Sequence, residues 1–274
     1  RTSVASATSG RNLRMFTPRQ RLILWLGGNF PLFEIPRACP LLDSNMELTG
    51  KTILVTGASG ALGSELSTAL ALKGAKVLGT ATANESAGKI PAKAEVRLLL
   101  DFTEPESIQT LTDYMIAASP LDGIINASGL VAFGPAGELE VETIARLTAV
   151  NSSGPMQLIS KLFGKLKESA SAGNEPFVMN LTGVVAETPM PGMAAYSGSK
   201  TAIHGFLTAL SKEWRREGIR VISARPGHTE TGLAGRAIAG QAPQFPTGMT
   251  ASHVVERLLA AIEADEKDLP ATEF

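Results

Sequence analysis

The chain has almost none of the side chains from which disulfides and transition-metal sites are built. Its 274 residues include one cysteine, Cys39, and three histidines, His204, His228 and His253. A single cysteine cannot form an internal disulfide, which favours a reducing compartment. The histidines are far apart in sequence, without a cysteine partner or H-E-x-x-H spacing, so we expect no metal site.

An excess of charge of either sign is also missing. The formal net charge is −1 at pH 7, and lysine and arginine are spread through the chain. Nucleic-acid-binding proteins carry a basic patch, so we expect no nucleic-acid partner. The apolar stretch at 22–33 is too short for a bilayer, which needs about 20 residues, and glycine and proline interrupt it. We therefore expect no membrane partner either.

The first 45 residues differ in composition from the rest. No acidic residue precedes Glu34, and arginine alternates with serine and threonine, as is typical of a transit peptide. An ill-ordered extension is the simpler interpretation, which we favour. We expect an N-terminal extension at 1–45, either disordered or targeting, and a folded domain at 46–274. The expected location is cytoplasmic, or an organelle if the extension is a transit peptide.

From Met46 onward, short apolar runs alternate with longer amphipathic stretches. The runs are too brief for helices and predict strands at 52–56, 76–78, 96–100, 123–125, 177–179 and 220–223. The stretches predict helices at 62–73, 105–118, 141–167 and 194–216. This alternation predicts an α/β fold, a doubly wound parallel sheet in a single Rossmann-type domain. We also expect a helix over 250–264, capped by Thr250 or Ser252, and a short strand over 269–274.

A glycine-rich turn joins the first predicted strand to the first predicted helix. It reads Thr56-Gly57-Ala58-Ser59-Gly60-Ala61-Leu62-Gly63. Glycine permits a tight turn and lets backbone N–H groups and a helix N-terminus approach a pyrophosphate. Because ligands of parallel sheets bind at the carboxyl ends of the strands, this turn is the expected start of a dinucleotide site.

At these residues the chain resembles the short-chain dehydrogenase/reductase family in its short form, whose turn reads T-G-x-x-x-A/G-x-G. Later matches follow in order at Asp101, Asn126-Ala-Ser-Gly129, Asn151, Tyr196 with Lys200, and Pro226-Gly227 with Thr231. The resemblance covers Met46 to about Thr231. It implies a nicotinamide cofactor bound by Gly57, Ser59, Gly60, Leu62, Gly63, Thr82, Asp101, Asn126, Ala127, Gly129, Tyr196, Lys200, Pro226, Gly227 and Thr231.

The resemblance also implies roles for three catalytic side chains. Tyr196 is the general acid in carbonyl reduction and the base in alcohol oxidation. Lys200 lies four residues later, on the same face of a helix, and holds the nicotinamide ribose. Its ammonium favours a phenolate, so we expect it to lower the pKa of Tyr196, ordinarily near 10. Asn151 is the expected water-holding relay to Lys200.

One catalytic group of the family is missing. The family has a serine thirteen residues before the tyrosine, and its hydroxyl binds the substrate oxygen; here that position is Gly183. Losing one such donor costs about 10²–10³ in rate in a comparable role. The adjacent Thr182 has a hydroxyl and is a fourth catalytic candidate. Strand alternation points Thr182 to the other face, unless a distortion at Gly183 turns it inward.

Cofactor preference depends on the end of the second strand. NAD-preferring members carry an acid there for the ribose 2′-hydroxyl, whereas NADP users place arginine or lysine nearby. Here Ala81 stands at the acid position and Thr82 at the basic one. Without a carboxylate to repel a 2′-phosphate, and with Ser59 and Thr82 as donors, the site favours NADP, with NAD as the alternative.

Two functions from different classes follow. The first is an oxidoreductase transferring a hydride between NADP(H) and a small ketone or secondary alcohol, which the joint presence of Tyr196, Lys200 and Asn151 favours. The second is a catalytically silent dinucleotide-binding or scaffold protein, which the missing hydroxyl at Gly183 favours. A third, an extended-form isomerase or dehydratase, rests only on Gly60.

The remaining expectations concern partners. The helices at 141–167 and 194–216 resemble the family's two interface helices, so we expect a homodimer or homotetramer that acts on a small-molecule substrate. The glycine- and proline-rich segment at 232–249 carries no motif that names this substrate.

Overall fold

A computed structural model of the chain describes residues 46–118 and 120–274. The extension expected at 1–45, with Cys39, lies outside the described residues. Within them, one parallel sheet is formed by β1 (Thr52–Thr56), β2 (Lys76–Ala81), β3 (Val96–Leu99), β4 (Gly123–Asn126), β5 (Phe177–Leu181) and β6 (Arg220–Ala224). The order across the sheet is β3-β2-β1-β4-β5-β6.

Helices follow the strands along the chain. They are α1 (Ala61–Leu72), α2 (Asn84–Ala87), α3 (Pro105–Ala117), α4 (Val141–Thr148), α5 (Gly154–Lys161), α6 (Phe163–Ser171), α7 (Ala194–Trp214) and α8 (Ala251–Glu263). Thr250 caps α8, because its hydroxyl accepts the His253 N–H at 3.2 Å. The cap satisfies one of the N–H groups left free at a helix start.

Both faces of the sheet are covered. In β1, Ile53 and Val55 belong to a core cluster that includes residues of α1 and α8, whereas Leu54 belongs to a second cluster with residues of α3, α5 and α7. Successive strand residues point to opposite faces, so a strand buried on both sides has an uninterrupted apolar sequence. The predicted α/β doubly wound parallel sheet is confirmed.

The strand order places a crevice beside β1. The chain winds outward from β1 through β2 to β3, then crosses back to β4, which pairs with the other edge of β1. At such a switch point the connections after the two central strands diverge, and ligands bind between them. Thr56 and Asn126 are register partners at this end of β1 and β4.

The helix predicted over 141–167 is interrupted. After α4, residues Ala149–Ser153 form a π-helical turn before α5 begins, and Leu162 separates α5 from α6. The cause of the π turn lies in the sequence: Pro155 has no N–H to donate, and its ring crowds the carbonyl one turn earlier, at Asn151. The widened turn accommodates this crowding.

The strand predicted over 269–274 is wrong. Leu269 makes one isolated parallel bridge with Ala224, and Ala271–Glu273 form a 3-10 turn. Pro270 explains the difference, because proline has no N–H to continue a ladder. The buried Leu269 side chain nevertheless joins the core beneath the sheet.

Candidate active site

A cleft of about 720 Å³ lies at the carboxyl ends of the strands, beside the switch point. Residues that follow β1, β4, β5 and β6 line it, and Tyr196 and Lys200 contribute from α7. The glycine-rich turn and the tyrosine–lysine pair, 133 residues apart between Gly63 and Tyr196, therefore share one cavity. The fold brings them together because parallel strands end at one edge of the sheet.

The turn after β1 is shaped to approach a phosphate. Gly57 has φ +70°, and its carbonyl accepts the Gly60 N–H at 2.9 Å. A Cβ on Gly63 would lie 2.1 Å from the Gly57 oxygen, so only glycine fits there. The first residues of α1 line the cleft, and the N–H groups of a helix start lack intrahelical partners. This cradle fits the pyrophosphate of a dinucleotide.

With one exception, the residues expected to bind the cofactor line this cleft. They are Gly57, Ser59, Gly60, Leu62, Gly63, Thr82, Asp101, Ala127, Gly129, Tyr196, Lys200, Pro226, Gly227 and Thr231. They come from six separate stretches of the chain and converge on one cavity. Their arrangement is consistent with one extended ligand running from the turn to Tyr196.

The exception is Asn126, which lies beneath the cleft rather than in its wall. Only 2% of its surface is exposed. Its Oδ1 accepts the Thr56 hydroxyl and, at 3.3 Å, the Ser128 N–H, and its Nδ2 donates to Asn180 Oδ1 at 2.5 Å. Asn126 therefore positions the loop after β4 and joins β1 to β5, and it does not present its amide to a ligand.

Tyr196 and Lys200 face the cleft from adjacent turns of α7. The ammonium of Lys200 is buried and donates to the Leu181 carbonyl at 2.9 Å. Burial raises the pKa of Tyr196 to about 12 and lowers the pKa of Lys200 to about 8. The direction expected for Tyr196 is therefore wrong: burial in the low dielectric of the cleft disfavours the phenolate and raises the pKa. Tyr196 is a neutral phenol at physiological pH.

Asn151 is fully buried in the π turn, and its side chain forms hydrogen bonds with the loop after β4. Its Oδ1 accepts the Leu130 N–H, and its Nδ2 donates to the Leu130 carbonyl, both at 2.9 Å. Its Nδ2 also contacts Ser199 Oγ on α7 at 3.0 Å. A Cβ on Gly129 would be 3.5 Å from both Asn151 Oδ1 and Lys200 Nζ, so both polar groups lie close to that glycine.

The Thr182 hydroxyl is turned away from the cleft. Its side chain is fully buried, and Oγ1 lies 3.0 Å from Ser223 Oγ and 3.2 Å from the donating Asn180 Nδ2. Ser223 Oγ in turn contacts His204 Nδ1 at 2.9 Å. Thr182 lines the cleft, but the unusual backbone at Gly183 does not turn its hydroxyl toward the cavity, so the geometry gives no support to a catalytic role for Thr182. Strand alternation predicted this direction.

Gly183 follows Thr182 with φ +84° and ψ 154°, a conformation that only glycine adopts readily. A Cβ there would meet only the Pro226 oxygen, at 4.0 Å. Space is therefore available for a side chain, but the backbone disfavours one.

Two features of the site were not anticipated from the sequence. The first is an apolar cluster around Tyr196, drawn from three loops: Val131, Phe133, Val185, Met193, Leu233 and Phe245. The second is Arg225, whose buried guanidinium pairs with Glu187 and, at 2.6 Å, with Asp268. Arg225 thus holds the loop after β5 and the C-terminal segment against Pro226. The Val-Ala-Phe run at 131–133, directly after β4, was the one sequence signal for the apolar cluster.

Neither a metal cluster nor a membrane-spanning helix is found among the described residues. In the described part of the chain, no three His, Cys, Asp or Glu side chains come together as a metal site requires. Over the same residues, no helix combines the length and apolarity needed to cross a bilayer.

Comparison with known families and proteins gives a consistent result. The family model for short chain dehydrogenases matches residues 51–242. Galactitol 2-dehydrogenase (L-tagatose-forming) of Cereibacter sphaeroides is 28% identical over 188 residues, 67% of this chain and 73% of that protein. The 3-oxoacyl-(acyl-carrier-protein) reductase FabG of Escherichia coli K12 is 29% identical over 231 residues, 81% of this chain and 93% of the reductase.

Solved structures have the same architecture. A short chain dehydrogenase from Burkholderia cenocepacia, in complex with NADP, superposes with a TM-score of 0.71 at 25% sequence identity. The match covers 82% of this chain and 90% of that one. The likeness therefore extends over most of both chains.

Proposed function

This chain belongs to the short-chain dehydrogenase/reductase family, and we propose that it transfers a hydride between NADP(H) and a small ketone or secondary alcohol. The observation that carries the proposal is the shared cleft: a neutral phenol and a buried ammonium lie in the same cavity as a phosphate-binding turn. The reduced nicotinamide supplies a hydride when bound. The protein's own residues must hold the carbonyl and deliver the proton.

Tyr196 is the proton donor in this proposal. Its phenol carries the proton at neutral pH and gives it to the carbonyl oxygen as the adjacent carbon accepts the hydride, so ketone, hydride and proton together make the alcohol. Lys200 is protonated below about pH 8 and lines the same cleft, and in this proposal its charge stabilises the phenolate left behind. Asn151 holds the loop that carries Gly129 next to Lys200.

Activity is tested by following NADPH oxidation with simple ketones. Tyr196→Phe is expected to abolish turnover, because it removes the proton and little else. Thr182→Val is the matched control. It removes a hydroxyl that points toward Ser223 of the sheet and not into the cleft, so turnover should remain within about twofold of wild type. Turnover that survives Tyr196→Phe would show that another group donates the proton.

The preference for NADP rests on the end of β2. Ala81 is 2% exposed and offers no carboxylate, while Ser59 and Thr82 line the cleft. A related dehydrogenase from Burkholderia cenocepacia was solved with NADP. We expect Thr82→Asp to weaken NADPH binding by at least about tenfold, since a carboxylate repels the 2′-phosphate, and to leave NADH binding nearly unchanged.

Fluorescence titration of each cofactor measures this difference. Thr82→Asn has nearly the same shape without the charge and should keep the wild-type preference. Equal or tighter binding of NADH by the wild type would contradict the proposed NADP preference and leave NAD as the cofactor.

A second candidate is a catalytically silent dinucleotide-binding protein, and Gly183 favours it. The family's serine hydroxyl is missing at that position, and the backbone there disfavours any side chain. A wild-type chain that binds NADPH but turns over no ketone, with no difference from Tyr196→Phe, would support this alternative.

A further inference from the structure

The half of the cleft next to Tyr196 is a chamber made by three loops. They are 131–133 after β4, 184–193 after β5 and 233–245 after β6, and we refer to their shared cavity as the apolar chamber. Its wall side chains are Val131, Phe133, Val185, Met193, Leu233 and Phe245. Among them Val131, Phe133, Val185 and Met193 are each less than 7% exposed.

Backbone hydrogen bonds fix these loops to one another. Phe133 N–H donates to the Ala239 carbonyl and Ile238 N–H donates to the Val131 carbonyl, both at 2.9 Å. Gly134 N–H donates to the Gly192 carbonyl, also at 2.9 Å. Two backbone hydrogen bonds therefore hold the segment 233–245, which carries no sequence motif, to the loop after β4, and a third holds that loop to the loop after β5.

Aromatic rings form one wall of the chamber. The Phe133 and Phe245 ring centroids are 6.1 Å apart with planes tilted by 49°. The His228 ring stacks on Phe245 at 4.8 Å and 29°. Aromatic rings pack favourably in offset or tilted contacts at such separations, so a flat or ring-shaped apolar group fits beside them.

The polar side chains nearest the chamber lie on the segment 228–236 after β6. The Thr229 hydroxyl donates to the Gly227 carbonyl at 3.0 Å, and the Thr231 hydroxyl accepts the Leu233 N–H at 3.3 Å. His228 lies 3.4 Å from the Glu230 carboxylate. The Thr231 O–H and the Arg236 guanidinium, which donates to the Thr231 carbonyl at 3.3 Å, are further donors that line the cleft. The side chains of the chamber wall itself are apolar, and Tyr196 is the donor packed against them.

We propose that the substrate is an apolar ketone whose carbonyl is borne on, or directly attached to, a hydrocarbon ring. The proposal deepens the proposed function and rests on it. The reacting oxygen meets Tyr196, and the ring fills the chamber between Phe133, Phe245 and Val185. A polyhydroxylated substrate would bury hydroxyls against this wall without partners, a desolvation penalty that the apolar ring does not have. This separates the chain from its relative that acts on galactitol.

The test compares ketones with and without hydroxyl groups, using NADPH as the reductant. 2-Tetralone and cyclohexanone are the apolar probes, and erythrulose is the open-chain hydroxyketone. We expect kcat/KM for 2-tetralone to exceed that for erythrulose by at least about 10²-fold, since several unpaired hydroxyls add their penalties. Erythrulose reduced as well as or better than 2-tetralone overturns the substrate class and leaves the proposed reaction intact.

A substitution in the wall of the apolar chamber provides a second test of the substrate class. Val185→Thr adds one hydroxyl at nearly constant shape and should lower kcat/KM for 2-tetralone by about tenfold, without lowering that for erythrulose. Ile116→Thr makes the same kind of change on an exposed part of α3, where 52% of the side chain is accessible, and should change neither value. Equal losses for both probes in Val185→Thr would mean that the wall does not select the substrate.

If no probe is turned over, binding to the NADPH-loaded protein decides between the two proposals. A rise in Tm with 2-tetralone but not with erythrulose supports the substrate class while contradicting the oxidoreductase. No rise with either probe overturns the substrate class as well.

Discussion

At the scale of single residues, burial dominates the chemistry of Tyr196 and Lys200. Spacing along the helix correctly placed the two on one face, and charge attraction alone suggested a lowered tyrosine pKa. The cleft reverses that direction, and burial raises the pKa of Tyr196 to about 12, because a phenolate is disfavoured away from water.

The first residue-scale prediction concerns the missing hydroxyl at Gly183. Its φ of +84° strains any other residue by about 1–3 kcal/mol, so a serine cannot be compared fairly with glycine. Gly183→Ser and Gly183→Ala share that strain and differ by one hydroxyl. We expect Gly183→Ser to reduce ketones up to about 10²-fold faster than Gly183→Ala, as one added oxyanion-type donor would. Equal kcat values in the two variants would show that the position does not reach the substrate oxygen.

The second residue-scale prediction concerns how the free energy of unfolding depends on pH. Lys200 is 5% exposed, and its folded pKa of about 8 lies below the ordinary 10.5. Below pH 8 the residue is charged in both states, and the native state carries the full cost of burial. Between pH 8 and 10.5 the unfolded chain binds more protons than the native one, so wild-type stability rises. Lys200→Met lacks this rise. Its unfolding free energy should therefore fall by about 3 kcal/mol relative to that of the wild type as the pH increases from 8 to 10.5.

Urea denaturation at pH 7 and pH 10 measures that difference. The variant also leaves the Leu181 carbonyl without its ammonium partner, which shifts its stability equally at both pH values. A difference that is the same at the two pH values would contradict a depressed pKa.

At the scale of elements, a polar chain crosses the carboxyl ends of the central strands. It links Ser128, Thr56, Asn126, Asn180, Thr182, Ser223 and His204 by successive side-chain contacts. Parallel register makes it possible, because Asn126 is opposite Asn180 and Asn180 is opposite Ser223. This series of side chains satisfies the buried polar groups beneath the cleft. It also engages the Thr182 hydroxyl, which is why that hydroxyl is not available to the substrate.

The element-scale prediction concerns the turn into α1. Gly63→Ala places a methyl group 2.1 Å from the Gly57 oxygen, so the turn and the first residues of α1 must shift. We expect NADPH affinity to fall by at least about tenfold and Tm to fall as well, because the backbone N–H groups that hold a phosphate move with the turn. Fluorescence titration and thermal denaturation measure the two effects.

Gly164→Ala is the matched control for this change. It adds the same methyl group inside α6, where nothing lies within 4 Å, so it should leave NADPH affinity unchanged and raise the unfolding free energy by up to about 1 kcal/mol. Unchanged NADPH binding in Gly63→Ala would mean that the turn does not hold the phosphate.

At the scale of the whole molecule, the prediction is association into a homodimer or homotetramer. On α4, Val141 is 81% and Ile144 is 41% exposed, and these apolar side chains lie in one of the two helical regions expected at the interface. Light scattering at micromolar concentration should give two or four times the mass of one chain. The double variant Val141→Glu, Ile144→Glu should give the mass of a single chain, since carboxylates buried at the interface oppose association. A wild-type monomer contradicts the prediction.

The same double variant has little cost within the monomer. Both positions lie in the first turns of α4, where acidic side chains interact favourably with the helix dipole. Its Tm therefore serves as the check that a change in mass does not reflect unfolding.

The sequence by itself determined the sheet, the glycine-rich turn and the tyrosine–lysine pair. Each of these is specified by neighbours in the chain: aliphatic runs of strand length, glycines between a strand and a helix, and a tyrosine and lysine four residues apart on α7. Pro155 also contained the reason for the π turn, although periodicity alone predicted an unbroken helix. Local sterics and local periodicity were sufficient in these cases.

Only the tertiary structure decided which side chains face the cleft and what surrounds them. Asn126 and Thr182 are placed beneath it by hydrogen bonds to other strands, and the apolar chamber joins three loops up to 114 residues apart, from Val131 to Phe245. The pKa of Tyr196 likewise depends on how completely those loops exclude water. Burial and long-range contacts are properties of the folded chain, and no local pattern encodes them.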